Sequence, residues 1–135
     1  MIQAKEKKSR PFKDTQTGYH RSAVNILSGW VNGIPEKPFY HDCRILFVPD
    51  VTIITNGIIT AIYEVVYSNP MSSKKYGLIQ YWCYLNVTDL TVYEISADFI
   101  LRQTGKPELI EVIECYTINP FEYEPIQDNL IEPIN

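Results

Sequence analysis

Two acids stand in stretches that are otherwise apolar. In "PDVTIITNGIITAIYEVV" (residues 49–66), Asp50 follows Pro49 ahead of one β-branched run, and Glu64 sits alone in a second run. A carboxylate among such side chains costs several kcal/mol unless something compensates its charge. Two compensations fit the residue types: a divalent metal held by both carboxylates, or an ion pair with a base such as Arg21 or Arg44. A strand-entry turn is a further use for Asp50 alone. Three other residues carry related chemistry. Lys74 and Lys75, in "SSKKYGLIQYWCYLN", either bring positive charge to the acids or lie solvated at a helix start. His20 either approaches the carboxylates or packs beside its helix, and its four-residue neighbour is Val24, so that helix holds no metal-binding pair.

Other chemistries find no support in the spacing. His41-Asp42-Cys43, with Cys83 and Cys115, contains no Cys-x-x-Cys and no paired histidines, which argues against zinc. The six glycines are scattered and form no phosphate-cradling loop, and no serine stands in a nucleophile elbow. The ten tyrosines, densest in "YGLIQYWCY", suit either base stacking or a core, and helical spacing favours the core.

The elements that must position these residues follow from periodicity. "DTQTGYHRSAVNILSGWVNG" predicts a helix, with Asp14, Thr15 or Thr17 as N-cap and Asn32-Gly33 as its stop. Pro35 and Pro38 mark an extended connector. "CRILFVPDVTIIT" and "IITAIYEVVYS" predict two strands joined at Asn56-Gly57, the strongest short hairpin signal. "SSKKYGLIQYWCYLN" predicts a helix capped by Ser72 or Ser73, "LTVYEI" a strand, and "SADFILRQTG" a short helix between Ser96 and Gly105. "ELIEVIECYTI" fits either strand or helix. The order implies an α/β fold: a mixed central sheet built on a β-hairpin and flanked by helices on both faces. A basic N-terminal arm (1–13), one domain (14–119) and an acidic, proline-containing tail (120–135) complete the expected organisation.

The hairpin sets a geometric condition. A strict two-residue loop would put Asp50 opposite Tyr63 and turn Glu64 to the other side of the sheet. A shared metal requires both acids on one face, so a bulge or an odd-length loop is expected between them.

With those residues in view, the chain resembles the PD-(D/E)-x-K nuclease superfamily. Pro49-Asp50 matches the first half of its motif, and Glu64-Val65-Val66 stands in the place of the second. "HRSAVNILSGW" and "AIYEVVYSNPMSSKKYGLIQYW" are similar to the competence-protein nuclease-like branch and its phage or viral relatives, over roughly residues 17–100. The resemblance implies a restriction-endonuclease-like core, with Asp50 and Glu64 as ligands of Mg²⁺ or Mn²⁺, and hydrolysis of DNA phosphodiesters. It implies a lysine two residues after Glu64, where this chain has Val66. Lys74 or Lys75 on the next helix is then the displaced base, with His20 auxiliary. The alternative is a catalytically inactive nuclease-fold protein that binds nucleic acid or protein and serves assembly.

Composition bounds these readings. The 135 residues suit one domain, and 45% apolar with 21% charged is an ordinary globular balance. No apolar run approaches the roughly 18 residues that span a bilayer, and the polar, basic start predicts no secretory signal. Three widely spaced cysteines suit reduced thiols, so a cytoplasmic location is expected, the host cytoplasm for a viral protein. The net charge of −4 conceals five bases against one acid in residues 1–13, and seven acids without a base in residues 108–135. The arm can reach DNA phosphates or lie solvated, while the acidic end repels DNA. The abundance of isoleucine, asparagine and tyrosine points to an AT-rich genome. A domain of this size commonly works as a homodimer or beside a protein partner, and no membrane partner is expected.

Overall fold

The computed structural model describes residues 18–123. The basic arm, the candidate caps Asp14, Thr15 and Thr17, and the tail from residue 124 onward lie outside the described residues. The first helix, α1, covers residues 18–31. Short strands follow at Ile34–Pro35 (β1), Phe39–His41 (β2) and Arg44–Phe47 (β3). The hairpin strands are Val51–Thr55 (β4) and Ile58–Val66 (β5). Then come α2 (Ser73–Asn86), β6 (Leu90–Ser96), α3 (Ala97–Arg102), β7 (Glu114–Ile118) and a 3₁₀ turn at Pro120–Glu122.

The fold is α/β. A five-stranded mixed sheet has the order β1-β4-β5-β6-β7, with β5 and β6 parallel and the other neighbours antiparallel. Parallel neighbours need a crossover, and α2 supplies it. Alternate side chains of β5 and β6 point to opposite faces, and both faces are covered. On one face Ala23, Val24 and Leu27 of α1 and Ala97 and Ile100 of α3 pack against Val51, Val65 and Ile95. On the other, Ile79 and Cys83 of α2, with Phe39 and Phe47 of the β2–β3 hairpin, cover Ile62, Leu90 and Val92. This double cover explains why these strands read as continuous apolar runs.

Several elements end where local chemistry says they should. Asn32 takes a left-handed conformation (φ 55°) and Gly33 N–H donates to the Ser28 carbonyl at 3.0 Å, closing α1. The Ser72 hydroxyl accepts from Lys75 N–H and caps α2, and the Ser96 hydroxyl accepts from Phe99 N–H and caps α3. α3 stops at Arg102, short of Gly105.

Three expectations are corrected. "CRILFVPDVTIIT" is two strands, not one. β3 pairs with β2 in a separate two-stranded sheet, and the chain crosses to the main sheet through Val48-Pro49-Asp50. Proline lacks the N–H a continuous ladder would need there. Part of the expected connector at Pro35 and Pro38 is strand: Ile34–Pro35 is β1 and pairs with β4, and the β2–β3 hairpin, turning at Asp42-Cys43 (φ 51° and 62°), follows it. The tail, expected to be irregular, opens on a 3₁₀ turn at Pro120–Glu122 with Pro120 buried, and the Tyr123 ring lies 5.4 and 5.1 Å from those of Tyr81 and Tyr84 on α2. The ambiguous "ELIEVIECYTI" contributes strand β7 only from Glu114.

Candidate functional site

The hairpin meets the geometric condition through a bulge. Asn56 and Gly57 both have positive φ (54° and 80°), the signature of a two-residue type I′ turn, with Thr55 opposite Ile58 and Ile54 opposite Ile59. Beyond these pairs, Ile53 faces Ala61, so Thr60 is the extra residue and the register shifts by one. Val51 then faces Tyr63, and one further step puts Asp50 opposite Glu64. The bulge therefore brings two acids that a plain hairpin would separate onto one face, at the end of the sheet where β4 begins and β5 ends.

Both carboxylates are almost enclosed, Asp50 at 9% and Glu64 at 6% exposure, so their charges need partners. Asp50 Oδ2 accepts from Val65 N–H, and Asp50 N–H donates to Glu64 Oε2 at 3.2 Å. These two bonds cross the strand pair and lock the acids together. Lys75 Nζ donates to Glu64 Oε1 at 2.7 Å and to the Val48 carbonyl at 2.9 Å. His20 Nε2 lies 2.9 Å from Asp50 Oδ1. Four segments thus meet: α1 brings His20, the residue just before β4 is Asp50, β5 brings Glu64 and the first turn of α2 Lys75. Val66, on the strand two residues after Glu64, has no side-chain donor, and the ammonium beside Glu64 is that of Lys75 on the helix.

Burial pushes the Glu64 carboxyl up to about 7, with the neighbouring Asp50 charge adding to it, and the Lys75 ammonium offsets only part. The His20 imidazole is raised above 6.5 because Asp50 accepts its hydrogen bond, although burial acts the other way. Lys74 and Lys75 stand in the first turn of α2, where no acid is present. Cations at a helix N-terminus oppose its dipole by about 0.3–1 kcal/mol, so Lys75 is kept where the helix itself disfavours it.

Of the expected site residues, Asp50, Glu64, Lys75 and His20 come together. Lys74 does not: its residue is exposed and makes no side-chain hydrogen bond or ion pair among the described residues. Arg21 and Arg44 are exposed and neither is the partner of Glu64. The cysteines do not cluster, since Cys83 is buried on α2 while Cys43 and Cys115 are exposed. Burial pushes the Cys83 thiol up to about 12. No group of three or more His, Cys, Asp or Glu side chains among the described residues is arranged to hold a metal. No helix among them is long and apolar enough to cross a membrane.

One buried acid escaped the sequence reading. Glu94 on β6, 4% exposed, pairs in parallel register with Glu64, and its Oε2 accepts the Tyr116 hydroxyl at 2.9 Å. A signal was there: "IYEV" (62–65) and "VYEI" (92–95) repeat one pattern, and their tyrosines, Tyr63 and Tyr93, stack at 4.7 Å. Comparison of the chain with protein-family models, curated proteins and solved structures finds no match in any of the three.

Proposed function

We propose that this chain is a metal-dependent nuclease of the PD-(D/E)-x-K kind that hydrolyses DNA phosphodiesters, with its lysine moved from the strand to the following helix. The observation that carries the reading is the meeting of Asp50, Glu64 and Lys75 from three separate elements across a bulged hairpin.

The donor set fits a hard divalent cation. Each of the four carboxylate oxygens accepts one hydrogen bond from the chain and keeps a second lone pair. The Glu64 carboxyl is raised by burial first and by the Asp50 charge second, a charge that a cation between the two acids would offset. Mg²⁺ needs only one or two carboxylates, with water and phosphate completing its shell, so no larger protein cage is required. Asp50 and Glu64 would hold the ion. When bound, it polarises the phosphate and lowers the pKa of the attacking water.

The remaining work falls to this chain's own side chains. Lys75 spends two of its three N–H donors on Glu64 and Val48, which fixes the ammonium and leaves a third for a phosphate oxygen or the attacking water. Val65 N–H and His20 hold the two Asp50 oxygens in place. A charged His20 also offsets part of the negative charge of the pair.

A second reading has its own support. Every oxygen of Asp50 and Glu64 is already satisfied once by the chain, as in a self-contained polar network, which suits a catalytically inactive module for nucleic-acid or protein binding and assembly. The deciding assay is cleavage of supercoiled, linear and single-stranded DNA with Mg²⁺ or Mn²⁺, comparing the parent with folded Asp50→Asn and Lys75→Met proteins. Metal-dependent cutting that falls at least about a hundredfold in both variants is expected. No cutting by the parent, or cutting that both variants retain, refutes the nuclease reading.

A further inference from the structure

A cavity of about 260 Å³ lies between α1, the end of β5 and α3, lined by Tyr19, Tyr67, Asp98 and Leu101. It begins one ring away from the site: the Tyr67 ring centroid is 5.9 Å from that of His20, the imidazole that meets Asp50. Tyr19 is 56% exposed and Tyr67 49%, so two large aromatic rings border this hollow while the cores on both sides of the sheet are well filled. We propose that this cavity receives an unstacked nucleobase of a DNA single strand whose adjoining phosphate lies at Asp50 and Glu64.

The chemistry of the walls selects that occupant. Tyrosine faces stack on any base, because every base presents a π-face. The cavity falls below the roughly 300–1,000 Å³ of sites for whole drug-sized ligands, so it suits one flat ring system rather than a nucleotide with its phosphate. Asp98, ion-paired with Arg102 at 3.0 Å, adds an acid to the wall. An acid there repels phosphate but accepts hydrogen bonds from base N–H groups. A base inside a duplex is already stacked and paired, and entering would cost a few kcal/mol of unstacking. Single strands and frayed ends therefore become the favoured substrate class. The inference rests on Asp50 and Glu64 facing a phosphodiester.

The test is anisotropy of a fluorescein-labelled oligo-dT strand, and of the same strand annealed to oligo-dA, on the full chain with Ca²⁺ in place of Mg²⁺, so that the two carboxylates meet the phosphate through a cation. Tyr67→Leu is expected to weaken single-strand binding about five- to a hundredfold, the range spanned by loss of one base–aromatic stack. Tyr67→Phe keeps the ring and should bind as the parent does. Leu101→Trp fills the cavity from its α3 wall while both tyrosines stay in the chain, and should weaken the single strand in the same way. Duplex binding should be unchanged in all three. Equal binding of the single strand by the parent, Tyr67→Leu and Leu101→Trp overturns the proposal, as does an equal loss on single strand and duplex. The two readings fail separately. A chain that cuts DNA but ignores these substitutions loses the base pocket and keeps the nuclease, whereas ring-dependent single-strand binding without cutting does the reverse.

Discussion

Replacing Glu64 with glutamine should stabilise the protein at pH 8, the opposite of what removing a structural ion-pair member does. Burial and the Asp50 charge lift the Glu64 carboxyl from 4.5 to about 7 in the folded chain. Below about pH 4.5 the group is protonated in both folded and unfolded states and does not affect the balance. Between 4.5 and 7 the folded chain keeps a proton that the unfolded chain has released, so stability falls as pH rises. Above both values the full penalty applies, about 3 kcal/mol at 1.36 kcal/mol per pH unit. Glutamine abolishes that penalty and still offers an oxygen to Asp50 N–H; the Lys75 attraction it forgoes is already contained in the net shift to about 7. A net gain of about 2–3 kcal/mol at pH 8 is expected, roughly 7–10 °C in Tm for a chain of this length. Urea unfolding at several pH values from 5 to 8, followed by fluorescence and circular dichroism, measures it directly. His20 remains in both proteins and Glu64 is the smallest of the charges that raise it, so the difference between the two curves is chiefly that of Glu64. A parent that gains stability from pH 5 to 8, or a Glu64→Gln protein weaker than the parent by 3 kcal/mol or more at pH 8, would refute the reasoning and make the acid structural.

Three further outcomes follow from the same geometry. Lys75→Met leaves Glu64 without its ammonium, so the fall of stability with pH should extend above pH 7 and the loss at pH 8 reach about 1–3 kcal/mol; the same urea series reads it, and an unchanged curve contradicts it. The raised His20 contributes stability that is complete below pH 6.5 and lost as pH rises through its folded value. Its NMR titration midpoint should therefore lie above 6.5 in the parent and fall in Asp50→Asn, while a midpoint that ignores the substitution would contradict the pairing. Deleting Thr60 removes only the unpaired residue and leaves Ile53 opposite Ala61 and Asp50 opposite Glu64 in a regular hairpin; a folded variant should keep both acids on one face and with them the Glu64-dependent pH effect, and a folded variant that loses that effect would count against the register argument.

Much of this was legible in one dimension because its causes are local. Asn56-Gly57 is a turn by its own backbone preference, Ser72 and Ser96 cap the helices that follow them, and the apolar runs of β5 and β6 announce strands covered on both sides. The isolation of Asp50 and Glu64 in those runs marked the site, and the register argument required a bulge between them. Glu94 escaped that reading although the repeated Tyr-Glu pattern carried its signal, because no motif pointed to it. The break of one apparent strand at Val48-Pro49 was less so, since β-branched residues on both sides hide a change of sheet.

What the sequence by itself determined is the inventory: two buried acids, a helix opening on paired lysines, a histidine one helix away and a hairpin between the acids. Only the tertiary structure decided which of these meet. Thr60, not the turn, became the bulged residue; Lys75, not Lys74, reached Glu64; and His20 came to Asp50 across thirty residues of chain. Turn and cap preferences are set by a few neighbouring atoms, whereas register and helix docking are set by how two separate cores fill on either side of the sheet. That is a balance among distant side chains which no short stretch of sequence contains.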